Sequence, residues 1–276
     1  MPRLGLAVLA MLATLHLASQ AEAQGMGPMS APMSVPTGSA PTLSAAAAPD
    51  PDDASPYGAA VGDRRTYVHG LLDQAEGRFG ADQSFRWEGE GWVGGDFNRL
   101  WLKSEGEVAS TTASGTKVED GQQEALYDRP ITSYFDLQAG GRYDLDSARG
   151  RGWGALGIEG FAPYYLNVSA TAYASDTGHY AAKLQAADEI RLTQTLILEP
   201  QVELNLYTRS DPRRHVGSGL SDLDAGLRLR YELTRKLAPY LGLTYERKTG
   251  ETADLARAEG EHPTALRFTT GIRSWF

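Results

Sequence analysis

Three methionines close together, Met26, Met29 and Met33, are the residues of this chain most readily given a chemistry. They stand in the run Gly-Met-Gly-Pro-Met-Ser-Ala-Pro-Met-Ser. Thioether sulfur is a soft, uncharged ligand that suits Cu(I), and spacers of two and three residues let one short segment fold all three sulfurs around one ion. Methionine is also a generic apolar filler. Here, however, the surrounding segment has no core to fill, and the two remaining methionines, Met1 and Met11, lie in the N-terminal leader. No histidine accompanies the cluster, which argues against a Cu(II) site within it. A second candidate set is carboxylate: Glu88, Glu90, Glu105, Glu107 and Asp136 each fall on the polar parity of an alternating stretch. Five acidic groups sharing one face could line a cation path.

The other chemistry-bearing types do not assemble. His69, His179, His215 and His262 are isolated in sequence, and neither H-E-x-x-H nor G-x-S-x-G is present. The Gly-rich run at Gly152–Gly157 lies inside a strand pattern rather than at a strand-to-helix turn, so it does not read as a phosphate loop. No enzyme is expected. A net charge of -9 excludes nucleic acid as a partner, because phosphates need clustered Lys and Arg. Cysteine is absent, so the fold must hold by packing and hydrogen bonds without disulfides.

Two segments precede the body. Arg3 followed by the apolar run Leu4–Leu17 and by Ala21-Glu22-Ala23 has the form of a secretory signal peptide over residues 1–23. Residues 24–63, dominated in their first part by Gly, Pro, Ala, Ser, Thr and Met, cannot bury enough apolar surface to offset ordering entropy. This stretch reads as a disordered periplasmic tail carrying the methionines.

The body, 64–276, reads as one repeated element. In Thr264–Phe276, Leu266, Phe268, Ile272 and Phe276 share a parity while Arg267 and Arg273 take the other, and the stretch ends on an aromatic. Alternation of this kind is a strand with one apolar and one polar wall. It recurs over Phe85–Val93, Leu100–Val108, Phe135–Tyr143, Leu166–Ala172, Leu196–Leu206 and Leu223–Glu232, and more weakly over Thr66–Arg78, Gln122–Asp128, Trp153–Phe161, Tyr180–Leu192 and Tyr240–Lys248. About twelve strands, most near the ~9–11 residues that a tilted membrane strand needs, imply an all-β, transmembrane, antiparallel up-and-down β-barrel. A mean hydropathy of -0.37 is compatible with that class, because alternating strands average to a polar composition. Short turns at Gly94–Asp96, Arg129–Pro130, Ala162–Pro163, Thr193–Gln194 and Arg235–Pro239 alternate with longer linkers at Ser110–Gly121, Ser175–His179, Arg209–Ser221 and Gly250–Pro263. The short turns are expected on the periplasmic side. The polar parity should face a narrow lumen and pair in ion ladders between neighbouring strands. Tyr164, Tyr165, Tyr207, Tyr231, Tyr240, Trp275 and Phe276 should form an interfacial girdle against outer-membrane lipid. His69 falls where parity is poor and has no assigned side.

Several runs of this body resemble the copper resistance protein B family (CopB/PcoB). They are Gly91-Trp-Val-Gly-Gly-Asp-Phe-Asn-Arg-Leu-Trp-Leu-Lys-Ser-Glu-Gly-Glu107, Gly160-Phe-Ala-Pro-Tyr-Tyr165, Ala170-Thr-Ala-Tyr173, Leu192-Thr-Gln-Thr-Leu-Ile-Leu-Glu-Pro200, Leu227-Arg-Leu-Arg-Tyr-Glu232 with Ala238-Pro-Tyr240, and Gly271-Ile-Arg-Ser-Trp-Phe276. The resemblance implies an outer-membrane barrel of a Gram-negative bacterium that contributes to copper tolerance, beside a periplasmic multicopper oxidase. It also implies a copper-binding tail; of the family's Met- and His-rich repeats only Met26, Met29 and Met33 are present here. The expected function is copper binding, as Cu(I), Cu(II) or both, for sequestration or export. A general small-solute pore and an outer-membrane hydrolase are the alternatives.

Overall fold

The computed structural model describes residues 66–80, 83–111, 115–145, 150–258, 260 and 262–276. The expected leader over 1–23 and expected tail over 24–63, with Met26, Met29 and Met33, lie outside the described residues. Thirteen strands follow one another: β1 (Tyr67–Phe79), β2 (Gln83–Gly94), β3 (Arg99–Thr111), β4 (Gly115–Pro130), β5 (Phe135–Asp144), β6 (Arg151–Phe161), β7 (Asn167–Ser175), β8 (Tyr180–Ala187), β9 (Ile190–Arg191), β10 (Leu196–Tyr207), β11 (Gly219–Tyr231), β12 (Leu237–Lys248) and β13 (Thr264–Trp275). The two-residue β9 prolongs β8 beyond a break and pairs with the same neighbour, β10. The barrel therefore has twelve staves. Every neighbour is antiparallel, and β13 pairs back onto β1, so no sheet edge is left open. Reciprocal backbone bonds between Gly70 and Phe276 extend this seam to the last residue.

The alternation of the sequence becomes an inside and an outside. Phe85, Leu100, Leu102, Leu137, Leu227, Leu243 and Phe268 are exposed on the outer wall, while Glu76, Arg78, Asp128, Arg228 and Thr269 are buried inside. Exposed aromatics form two belts on the outer wall. Tyr67, Phe97, Tyr127, Tyr134, Phe161 and Tyr231 mark the end that holds both Tyr67 and Phe276, here the terminal end. Phe79, Phe85, Tyr143, Tyr180 and Tyr245 mark the opposite, loop end. Tyr240 does not belong to either belt. It is buried in the lumen, with its hydroxyl donating to Glu76 Oε2 at 3.0 Å.

Three further details depart from the sequence reading. First, β1 carries a bulge between Leu72 and Gln74, so that Asp73 has no register partner on β2. One inserted residue reverses which parity points inward, which is why the alternation of Thr66–Arg78 is poor and why His69 could not be assigned a side. In the structure His69 pairs with Trp92, their rings 6.0 Å apart. Second, the lumen is not uniformly polar. Leu126, Trp153, Ala155 and Tyr173 form a buried apolar cluster inside it, with Trp101 and Ala181 against them, and these inward apolar residues blur the parity of β4 and β6. Third, most loop-end connections are short. Strand pairing of β3 with β4 persists to Thr111 and Gly115 through what reads in sequence as a linker. Only the connection from β10 to β11 and the one from β12 to β13 are long, the latter holding helix α1 (Gly250–Ala258).

Candidate functional site

The lumen divides into two zones of different charge balance. Toward the loop end an arginine cage fills the bore. Arg78 on β1 reaches Glu76 at 2.8 Å, Glu246 at 2.8 Å, Asp224 at 3.1 Å and Glu107 at 3.4 Å. Arg228 on β11 reaches across to Glu76 at 3.0 Å and donates to Gln74 and Gln201. Arg267 holds Glu107 at 3.2 Å and Glu246 at 3.3 Å, and Arg86 holds Glu203 at 3.2 Å. Arg78 and Glu76 are essentially without solvent contact. Taking such charges out of water is costly unless each is paired and hydrogen-bonded, and the multiple short contacts of each arginine meet that requirement.

Toward the terminal end the lumen opens into a cavity of about 810 Å³, reaching Tyr165 and Arg191 at the rim. Its walls carry nine carboxylates, Glu88, Glu90 and Glu105 among them, against four cations, Lys103, Lys183, Arg191 and Arg273. Some of the carboxylates are engaged: Glu159 takes Lys103 at 2.6 Å, Asp73 takes Arg273 at 2.8 Å, and Glu105 takes Lys183 at 2.5 Å. Glu88 faces Glu105 in register on the adjacent strand, and its Oε2 is buried with no hydrogen-bond partner. The zone therefore has acidic groups beyond those its own cations can satisfy.

The five carboxylates singled out from sequence are thus separated. Glu88, Glu90 and Glu105 share the cavity. Glu107 belongs to the cage, and Asp136 pairs with Arg99 at 3.2 Å near the terminal end. Asp73, Glu124, Glu159, Asp188, Glu189 and Glu199 also line the cavity, and the sequence reading passed over them as site residues. Most lie on the staves of weak parity, Asp73 at the bulge and Asp188 and Glu189 at the break between β8 and β9, where alternation gives no inward signal. Glu199 does lie on a regular polar parity and could have been included. The ion ladder between neighbouring strands is present in part, as in Arg99–Asp128 at 3.2 Å and Arg230–Glu199 at 2.5 Å. Other pairs instead cross the bore: Lys183 on β8 meets Glu105 on β3, with four staves between them on one side.

Among the described residues no group of three or more His, Cys, Asp or Glu side chains is arranged to hold a metal ion. His179 is partly exposed and shares a hydrogen bond with Thr177 at 3.0 Å. His262 is exposed, and His215 sits in a left-handed turn with φ 60°.

A closed twelve-stave barrel with an apolar outer wall, two aromatic belts and a charged lumen is an outer-membrane β-barrel. The solved NanC porin structure has the same fold, with a TM-score of 0.50 and 13% identity over 75% of this chain and 98% of that one. The particular family comes from sequence. The family profile "Copper resistance protein B precursor (CopB)" matches residues 66–276. A copper resistance protein B homolog of Pseudomonas syringae pv. tomato is 39% identical over 268 residues, 94% of this chain and 89% of that protein. Copper resistance protein B of Escherichia coli is 39% identical over 207 residues, 75% and 68% of the two chains. The chain belongs to the copper resistance protein B family. Membership supports a role in copper resistance, and fold and family together support the outer membrane as its location.

Proposed function

We propose that this protein is a non-enzymatic copper-binding barrel that takes copper ions as cargo on the periplasmic side of the outer membrane, for sequestration or export. The observation that carries the reading is the cavity at the terminal end, with nine carboxylates against four cations, in a chain of this family. Carboxylate oxygens are hard donors and favour Cu(II) over Cu(I), whereas the thioethers of Met26, Met29 and Met33 favour Cu(I). The tail would then capture the reduced ion and the cavity the oxidised one. A periplasmic multicopper oxidase, the partner that the family resemblance implies, would connect the two states.

The test titrates the purified full-length protein with Cu(I) and with Cu(II). Replacing Met26, Met29 and Met33 with Leu should remove Cu(I) binding and leave Cu(II) binding intact. Glu88→Gln with Glu90→Gln should do the reverse. Unchanged stoichiometry and affinity in both variants would refute the reading. A general small-solute pore is disfavoured by the side chains that bridge the bore, Lys183 to Glu105 and Arg86 to Glu203. Such a pore would conduct monovalent ions in bilayers whether or not copper is present.

A further inference from the structure

We propose that Lys183 is a tethered counter-ion, its ammonium seated on Glu105 beside Glu88 in the place of a cation, and that a cation entering the lumen binds the Glu88–Glu105 pair by displacing it. The inference rests on the cargo reading above and goes beyond it by naming the group that limits affinity.

The geometry is that of a cation site with an occupant. Lys183 Nζ sits 2.5 and 2.6 Å from the two oxygens of Glu105, a bidentate embrace of one charge. Glu203, on the stave beside Lys183, lies 3.6 Å away. Glu88 is the register partner of Glu105, and two like charges directly opposite each other on adjacent strands are unfavourable unless a cation lies between or beside them. Lys183 supplies that cation from the far wall of the bore. It leaves one ligand over, because Glu88 Oε2 is buried and has no hydrogen-bond partner.

A buried carboxylate oxygen without a donor is a costly arrangement to maintain. It becomes intelligible if a cation visits. An arriving ion would gain Glu88 and Glu105, and the lysine side chain, on a flexible four-carbon stem, would swing into the cavity that both line. Lysine suits this role better than arginine, whose rigid fork would hold Glu105 in a fixed bidentate pair. The cage immediately toward the loop end is built from arginines; Arg86, two residues along β2, also faces Glu88 but is held by Glu203 at 3.2 Å, and the cation seated on Glu105 is a lysine.

The test is Lys183→Met in the full-length protein in detergent, probed with Mn(II) by electron paramagnetic resonance and separately with Cu(II). Mn(II) reads an oxygen-ligand site regardless of copper chemistry. The variant should bind one more Mn(II) per barrel than wild type, or bind it roughly tenfold or more tightly, because a competing unit charge a few ångströms away has been removed. Glu88→Gln added to Lys183→Met should abolish the gain, and Lys183→Arg should not show it. Lys183→Gln serves if the Met variant does not insert, with folding checked by the shift in gel mobility on heating. Unchanged Mn(II) binding in a folded Lys183→Met or Lys183→Gln barrel overturns the proposal. A gain for Mn(II) with none for Cu(II) upholds the counter-ion and counts against copper as the cargo.

Discussion

The cage and the cavity are both built from inward charged side chains and share β1, β2, β3, β10 and β13, yet one is saturated and the other is not. In the cage, Arg78 alone spans four carboxylates, and Arg228 and Arg267 take three of those again from other staves. In the cavity, lysines supply half of the four cations and nine carboxylates compete for them. Acidic residues by themselves do not make a cation site. The local excess over cations does, together with space for the ion; the cage sets four arginines on five carboxylates, every one of them engaged. The cage should therefore contribute to stability and the cavity to binding, and substitutions of equal chemical size should separate the two.

The largest effect is expected at Arg78. Arg78→Met would leave Glu76, Glu107, Asp224 and Glu246 facing one another without their shared cation, and removing one partner of a buried ion pair costs about 3–5 kcal/mol. Urea unfolding of the detergent-solubilised barrel should register that loss, while Cu(II) affinity of the folded fraction stays the same. A loss of well under 1 kcal/mol would mean that water or counter-ions replace the arginine and that the two zones are not energetically distinct.

An intermediate effect should come from matched Glu→Gln changes. Glu107→Gln removes a charge held by two arginines at 3.4 and 3.2 Å and should destabilise by about 1–3 kcal/mol, the usual loss when a buried charged group is deprived of its partner. Glu90→Gln, in the zone of excess acid, relieves repulsion instead. It should leave stability within about 0.5 kcal/mol of wild type, as for substitutions outside buried networks, and it should weaken Cu(II) binding. Equal unfolding midpoints for the two variants would erase the proposed division of the lumen.

The division was only partly legible in the sequence. Alternation located all twelve staves, because a half-exposed wall imposes a period of two wherever the stave is regular. It failed where regularity fails. The bulge at Asp73 hid the side of His69, and the inward Leu126, Trp153 and Ala155 weakened β4 and β6. Tyr240 reads as a girdle residue by its place near a strand end, but its register carries it inside onto Glu76. Glu88, Glu90, Glu105 and Glu107 were visible as inward carboxylates. Which of them is neutralised depends on cations two to five staves around the barrel, and no spacing within one strand encodes that. Lys183 lies in an alanine-rich stretch of weak parity, and nothing in the stretch itself marks it.

The smallest expected effect lies above the cage and asks whether the bore depends on its loops. Glu251, in the first turn of α1, accepts from the backbone N–H and the hydroxyl of Ser218, both at 3.1 Å, and Thr252 accepts from the N–H of Gly217 at 2.8 Å. These contacts tie α1 to the connection between β10 and β11. The Ser218 donors favour the ionised form and hold the Glu251 carboxyl below the usual carboxylate range. A carboxyl whose pKa is depressed in the folded state contributes stability that is complete above its unfolded value, about 4.3, and lost as pH falls through the lowered value. Hydrogen-exchange protection at Ser218, corrected for the intrinsic pH dependence, should therefore fall on acidification, while amides of β1 and β11 beside the cage keep theirs. Asp254, exposed and paired with Arg257 at 2.7 Å, is a second carboxylate on α1, so Glu251→Gln supplies the control. In that variant Ser218 protection should be lower at neutral pH and nearly flat with acid. If protection beside the cage falls together with that at Ser218, the arginines are held by the loops above them, and the contrast between a self-sufficient cage and an open cavity gives way to a single coupled lumen.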